Sequence, residues 1–84
     1  MISESVIIRD PMGFHAQLVS EFCAQANRFA CNIKVRYQGR SYSGRDIFLL
    51  MSLKAKQNEE IQIICNGRDE KEALEALKNV FGKK

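Results

Sequence analysis

The apolar residues of this chain switch repeatedly between a two-residue and a helical spacing, and that switching limits its fold more than any other feature. Ile2, Glu4, Val6 and Ile8 fall on one side of an extended segment, with Ser3, Ser5, Ile7 and Arg9 on the other, which predicts a strand over roughly Ser3–Arg9. Asp10-Pro11-Met12-Gly13 then reads as a turn. From Ala16 to Phe29 the period lengthens. Leu18, Val19, Phe22, Cys23, Ala26, Phe29 and Ala30 recur at helical spacing, leaving Gln17, Ser20, Glu21, Gln25 and Arg28 outside. Alternation returns at Ile33, Val35 and Tyr37, and Gln38-Gly39 turns the chain into a further strand, Arg40–Ser43. A short helical segment follows at Ile47–Leu53, then a strand at Glu60–Cys65. The last helix has Ala73, Leu74, Leu77, Val80 and Phe81 as its buried stripe, Asp69 and Glu72 as a near capping box, and Gly82 to end it.

The order is therefore β-α-β-β-α-β-α. Each full helix has one apolar stripe and must bury it against one face of a sheet, leaving the other face wet. Split β-α-β units with antiparallel pairing satisfy the handedness and loop-length rules, so the expected architecture is an open-faced α/β sandwich of the α+β kind. Residues 1–84 are expected to form a single domain. At 84 residues the folded surface should be about 5,100 Å², enough to enclose one two-layer core but no barrel or nucleotide-binding α/β fold.

Charge and composition exclude several functions. Thirteen basic against ten acidic residues give +3 with the signs mixed, too mild a balance to imply nucleic acid. Lys34, Arg36 and Arg40 are expected on the outward face of the sheet, yet the aromatic residues that stack bases are missing from it. The longest apolar run, Ile47–Met51, is far short of a membrane span, and Met1-Ile-Ser-Glu-Ser does not look like a signal peptide. Cys23, Cys31 and Cys65 lack metal-ligand spacing, and the chain has only one histidine. They are expected to be reduced, mostly buried thiols in a cytoplasmic protein without metal or cofactor.

That histidine is His15, placed after the proline turn and just before the first helix. The opening amides of the helix, including those of Ala16 and Gln17, have no intrahelical acceptor, and with the macrodipole they make an anion site. A phosphoryl group on the imidazole could set its oxygens over those amides. Such an arrangement suits a carrier, because it holds the group without offering a hydrolytic base.

Gly13-Phe14-His15-Ala16 resembles the active-centre motif of the HPr family, the histidine-containing phosphocarriers of the phosphoenolpyruvate-dependent sugar phosphotransferase system. Asp46 to Leu53 resembles that family's regulatory segment, usually a serine followed by a hydrophobic helix, and Asn66-Gly67 with the Ala73/Leu74/Leu77 stripe resembles its last turn and helix. The resemblance implies a four-stranded antiparallel sheet covered on one face by three helices, and a monomer. It implies that His15 accepts phosphate from enzyme I and passes it to the enzyme IIA domain of a sugar permease, the protein itself being no enzyme.

Two positions depart from the family pattern. Arginine and proline usually follow the histidine-alanine pair, whereas this chain has Gln17 and Leu18, and the outward positions Glu21, Ala24 and Asn27 add no positive charge. A neutral amide at Gln17 replaces a charge-assisted fork to phosphate or to a partner carboxylate. Asp46 stands where many relatives have a phosphorylatable serine. It is a good N-cap for the helix at Ile47, and it could also imitate phosphoserine weakly. The segment Ile47–Leu53 is apolar nearly all round. Leu50 and Leu53 are expected inward, and Ile47, Phe48 and Met51, with Gln17 and Ser20, are expected to meet partners. The alternative function is a regulatory HPr-like paralogue that binds a transcription regulator or metabolic enzyme.

Overall fold

The alternating and helical segments become, in a computed structural model that describes residues 1–82, four strands and three helices. They are β1 (Ile2–Ile7), α1 (Ala16–Ala26), β2 (Asn32–Tyr37), β3 (Arg40–Ser43), α2 (Ile47–Ser52), β4 (Glu60–Asn66) and α3 (Glu70–Gly82). The strands form one antiparallel sheet in the order β1-β4-β2-β3. This is the expected open-faced arrangement, with a surface of 5295 Å² close to the value that chain length predicts.

Register assigns each residue to a face. Ile61, Ile63 and Cys65 of β4 stand opposite Val6, Glu4 and Ile2 on one side and, for Ile63 and Cys65, opposite Val35 and Ile33 on the other. All of them lie on the helix side, where Leu18, Val19, Phe22, Leu74, Leu77 and Phe81 complete the core. Edge strand β1 is less deeply covered, so Glu4 can reach the solvent and pair with Lys78 of α3 at 3.1 Å. The open side has polar rows such as Ser5, Gln62, Arg36 and Ser41, which explains why alternation is so clean in β2 and β4. Arg40 departs from expectation: it stands opposite Tyr37 and shares the side of Tyr42, whereas Lys34 and Arg36 lie on the open side. The two-residue turn before it leaves Gln38 and Gly39 both at positive φ, which reverses the strand without changing the face of its partners.

Helix α1 stops at Ala26, four residues before the apolar pattern ends at Ala30. The Arg45 guanidinium donates to the carbonyls of Ala26, Phe29 (2.8 Å) and Cys31 (2.6 Å), drawing the chain out of helical register toward β2. Phe29 still packs against the core, but Ala30, expected in the buried stripe, is exposed. Asp69 completes this clamp. Its carboxylate accepts from the amides of Ala30 (2.9 Å) and Cys31 (3.0 Å), so it ties the α1–β2 connection and does not cap α3 as the sequence pattern suggests. Glu70, one residue on, instead reaches back to the Gly67 amide at 3.0 Å.

Candidate functional site

The turn before α1 is built around Asp10. Its carbonyl accepts from Gly13 N–H at 2.8 Å, and its Oδ1 accepts from Met12 N–H at 2.8 Å. Gly13 has φ +72°, and a side chain there would collide with the Ala55 carbonyl oxygen and lie 3.0 Å from Lys56 Cα. Only glycine lets the turn lie this close to the 54–56 segment. Phe14 N–H then donates to Ala55 O at 2.9 Å, while the Phe14 ring packs with Phe22 and Phe81 in the core. The residue after Phe14 is thereby held at the rim.

That residue is His15, the N-cap of α1 in extended conformation. The first helical bond runs from Val19 N–H to His15 O. The His15 side chain does not cap the helix, and among the described residues the Ala16 and Gln17 amides have no acceptor. The imidazole is about a quarter exposed, with Nε2 3.1 Å from Asp10 Oδ2. Asp10 therefore uses one carboxylate oxygen to close the turn and the other to orient the ring. The Met12 amide, and then the His15 contact, hold its carboxyl below the usual aspartate range, so it remains an acceptor.

Two hollows open beside the ring. An open groove of about 610 Å³ runs along Arg9, Asp10, Gln17, Leu18 and Glu21. On the other side a recess of about 280 Å³ is bordered by Met12, Ala16, Met51, Lys54 and Lys56. Gln17 and Ser20 are exposed as expected, and Leu18 is buried.

Asp46 is the N-cap of α2, its Oδ1 accepting from Phe48 N–H (3.1 Å) and Leu49 N–H (3.0 Å). On α2 itself, Phe48 is 81% exposed, and Leu49 and Met51 are partly uncovered. Ile47 differs from expectation. It packs against the core with Leu50 and Leu53, because residues three apart on a helix share a face. Asp10, Met12, Lys54 and Lys56 were not singled out by sequence patterning. The only local signal was an aspartate before proline and an apolar residue in a turn, and nothing in the spacing tied residues 54–56 to position 15.

Among the described residues no group of three or more His, Cys, Asp and Glu side chains could hold a metal, and no helix is long and apolar enough to cross a membrane. The three cysteines are free and buried. Desolvation, followed by the adjacent Cys31, pushes the Cys65 thiol up to about 11.

Fold and site together define an open-faced sandwich with one four-stranded sheet and a single histidine at the N-cap of its first helix. The sequence matches the family model described as the PTS HPr component phosphorylation site over residues 2–83, and the chain belongs to the HPr family. It is 42% identical over 79 residues to the phosphocarrier protein HPr of Mycoplasma pneumoniae, covering 93% of this chain and 90% of that protein. It is 34% identical over 77 residues to the HPr-like protein Crh of Bacillus subtilis, covering 92% and 91%. Among solved structures, a histidine-containing phosphocarrier protein of Mycoplasma superimposes with a TM-score of 0.89 at 29% identity, over 94% of this chain and 90% of that one. Crystalline Crh, a swapped dimer, gives 0.76 at 32% identity over 98% and 94%.

Proposed function

We propose that the chain is a phosphocarrier of the phosphoenolpyruvate-dependent sugar phosphotransferase system, accepting a phosphoryl group on His15 from enzyme I and passing it to enzyme IIA. The observation that carries this reading is the His15–Asp10 contact beside the unpaired Ala16 and Gln17 amides. With the imidazole proton on Nε2 facing the carboxylate, Nδ1 keeps the lone pair. That nitrogen attacks phosphorus as the bond from phosphorus to the donor breaks, and the proton stays on Nε2. Asp10 then faces the cationic ring that results, while the amides and the helix dipole receive the phosphoryl oxygens. Both Asp10 oxygens are engaged, one by the Met12 amide and one by the ring, so this carboxylate is committed to holding the turn and the imidazole.

Partners would meet the exposed side chains around the ring: Gln17 and Ser20 of α1, and Phe48 and Met51 of α2. Because Gln17 supplies no cation, docking on an acidic surface draws more on apolar contact here. Incubation with phosphoenolpyruvate and enzyme I should give one acid-labile phosphate per chain, absent from His15→Ala. No transfer from any enzyme I would favour the second reading, a regulatory paralogue. That reading draws on Gln17 and Asp46, although the cap bonds at Oδ1 already give Asp46 a structural role.

A further inference from the structure

The two hollows beside His15 carry opposite charge. The groove on the Asp10 side holds one cation, Arg9, against two carboxylates, Asp10 and Glu21. The recess on the α2 side holds Lys54 and Lys56 and no acid. Resting on the reading of His15 as the phosphoryl acceptor, we propose that Lys54 and Lys56 bind the oxygens of the group carried on His15, supplying the charge that Gln17 lacks.

Three observations converge on this assignment. A phosphoryl group brings a charge of about −1.5 to −2, which the lysine recess attracts and the groove, with its excess of carboxylate, repels. Lys54 sits at φ +53°, a left-handed conformation that glycine adopts freely and a lysine does not, and such outliers gather at functional sites. The 54–56 segment is fixed to the histidine turn itself by the Phe14 N–H to Ala55 O bond and by the close packing of Gly13 on Lys56. The backbone that carries both lysines therefore keeps its place relative to His15. Among the described residues neither ammonium takes part in an ion pair. Glu59, the acid that faces Lys56, is committed to the Tyr37 hydroxyl (2.6 Å) and the Lys56 amide (2.8 Å).

The chain has one histidine, so phosphoramidate, a small phosphoryl donor that needs no partner protein, gives a single phosphohistidine. The ³¹P resonance then reports the second ionisation of the carried group as pH is varied. Nearby cations favour the dianion, so Lys54→Gly and Lys56→Gln should each raise the midpoint by about half a unit, and the double variant by more. Lys54→Gly removes the charge while relieving the backbone, which keeps loss of fold out of the result. Arg9→Gln should leave the midpoint where it is. An unchanged midpoint in the double variant, or an equal rise in Arg9→Gln, overturns the lysine assignment and leaves the acceptor reading standing. Failure of the wild-type chain to gain acid-labile phosphate overturns both.

Discussion

Asp69 shows how one side chain can serve a purpose that its sequence position does not suggest. It stands one residue before α3 with glutamate three residues on, the pattern of a helix cap, yet its two oxygens reach back 38 and 39 residues to the Cys31 and Ala30 amides. The Ala30 amide is the main reason its carboxyl is held below the usual aspartate range. A carboxyl lowered on folding contributes stability above its unfolded value, and that contribution disappears as pH falls through the lower folded value. The wild-type chain should therefore lose stability as pH drops below about 3.9. Asp69→Asn should be less stable at pH 7 and respond less to acid, so the two urea-unfolding curves should converge toward pH 2. Parallel curves over that range would contradict the clamp. His15 illustrates the opposite case, a residue whose place at the start of α1 was readable from the proline turn before it and the helical pattern after it.

At the scale of the element, α2 is the informative piece. Six residues without a single charge are too few to make a stable helix alone, so packing of Leu50 and the Asp46 cap must hold it. Loss of an N-cap costs about 1 kcal/mol, and Asp46→Ala should show that loss in denaturant unfolding while Asp46→Ser, which retains an acceptor, should be nearly neutral. Equal destabilisation by both would mean that the carboxylate's charge matters beyond its hydrogen bonds. An apolar pattern that runs all round a helix gives no phase, so the sequence does not separate Ile47 from the exposed Phe48 and Met51, whereas the fold packs Ile47 on the core beside Leu50 and Leu53. Helix α3 is the contrast. Its stripe of Ala73, Leu74, Leu77, Val80 and Phe81 is broken by charges at each outward step, and every member is buried.

Across the whole molecule the sheet closes a core that contains all three thiols. Burial raises each of them, Cys65 to about 11, so the reactive thiolate is scarce as well as covered. In the native state at pH 8 they should react with a disulfide reagent at least a hundredfold more slowly than in urea, and all three together as the fold opens. Rapid reaction of one thiol in the native chain would show a local opening around it. The strand and helix order, the buried stripes of α1 as far as Ala26 and of α3, and the place of the imidazole at the start of α1 were set by the sequence alone, because each depends on hydrophobic period, turn residues or helix-end chemistry acting within a few residues. Tertiary structure decided what depends on residues distant in the chain. It set the strand order β1-β4-β2-β3, the use of Arg45 and Asp69 to end α1, and the approach of Lys54 and Lys56 to the recess beside His15. Those contacts form only when the sheet brings the 54–56 loop against the first turn, and no local spacing records that approach.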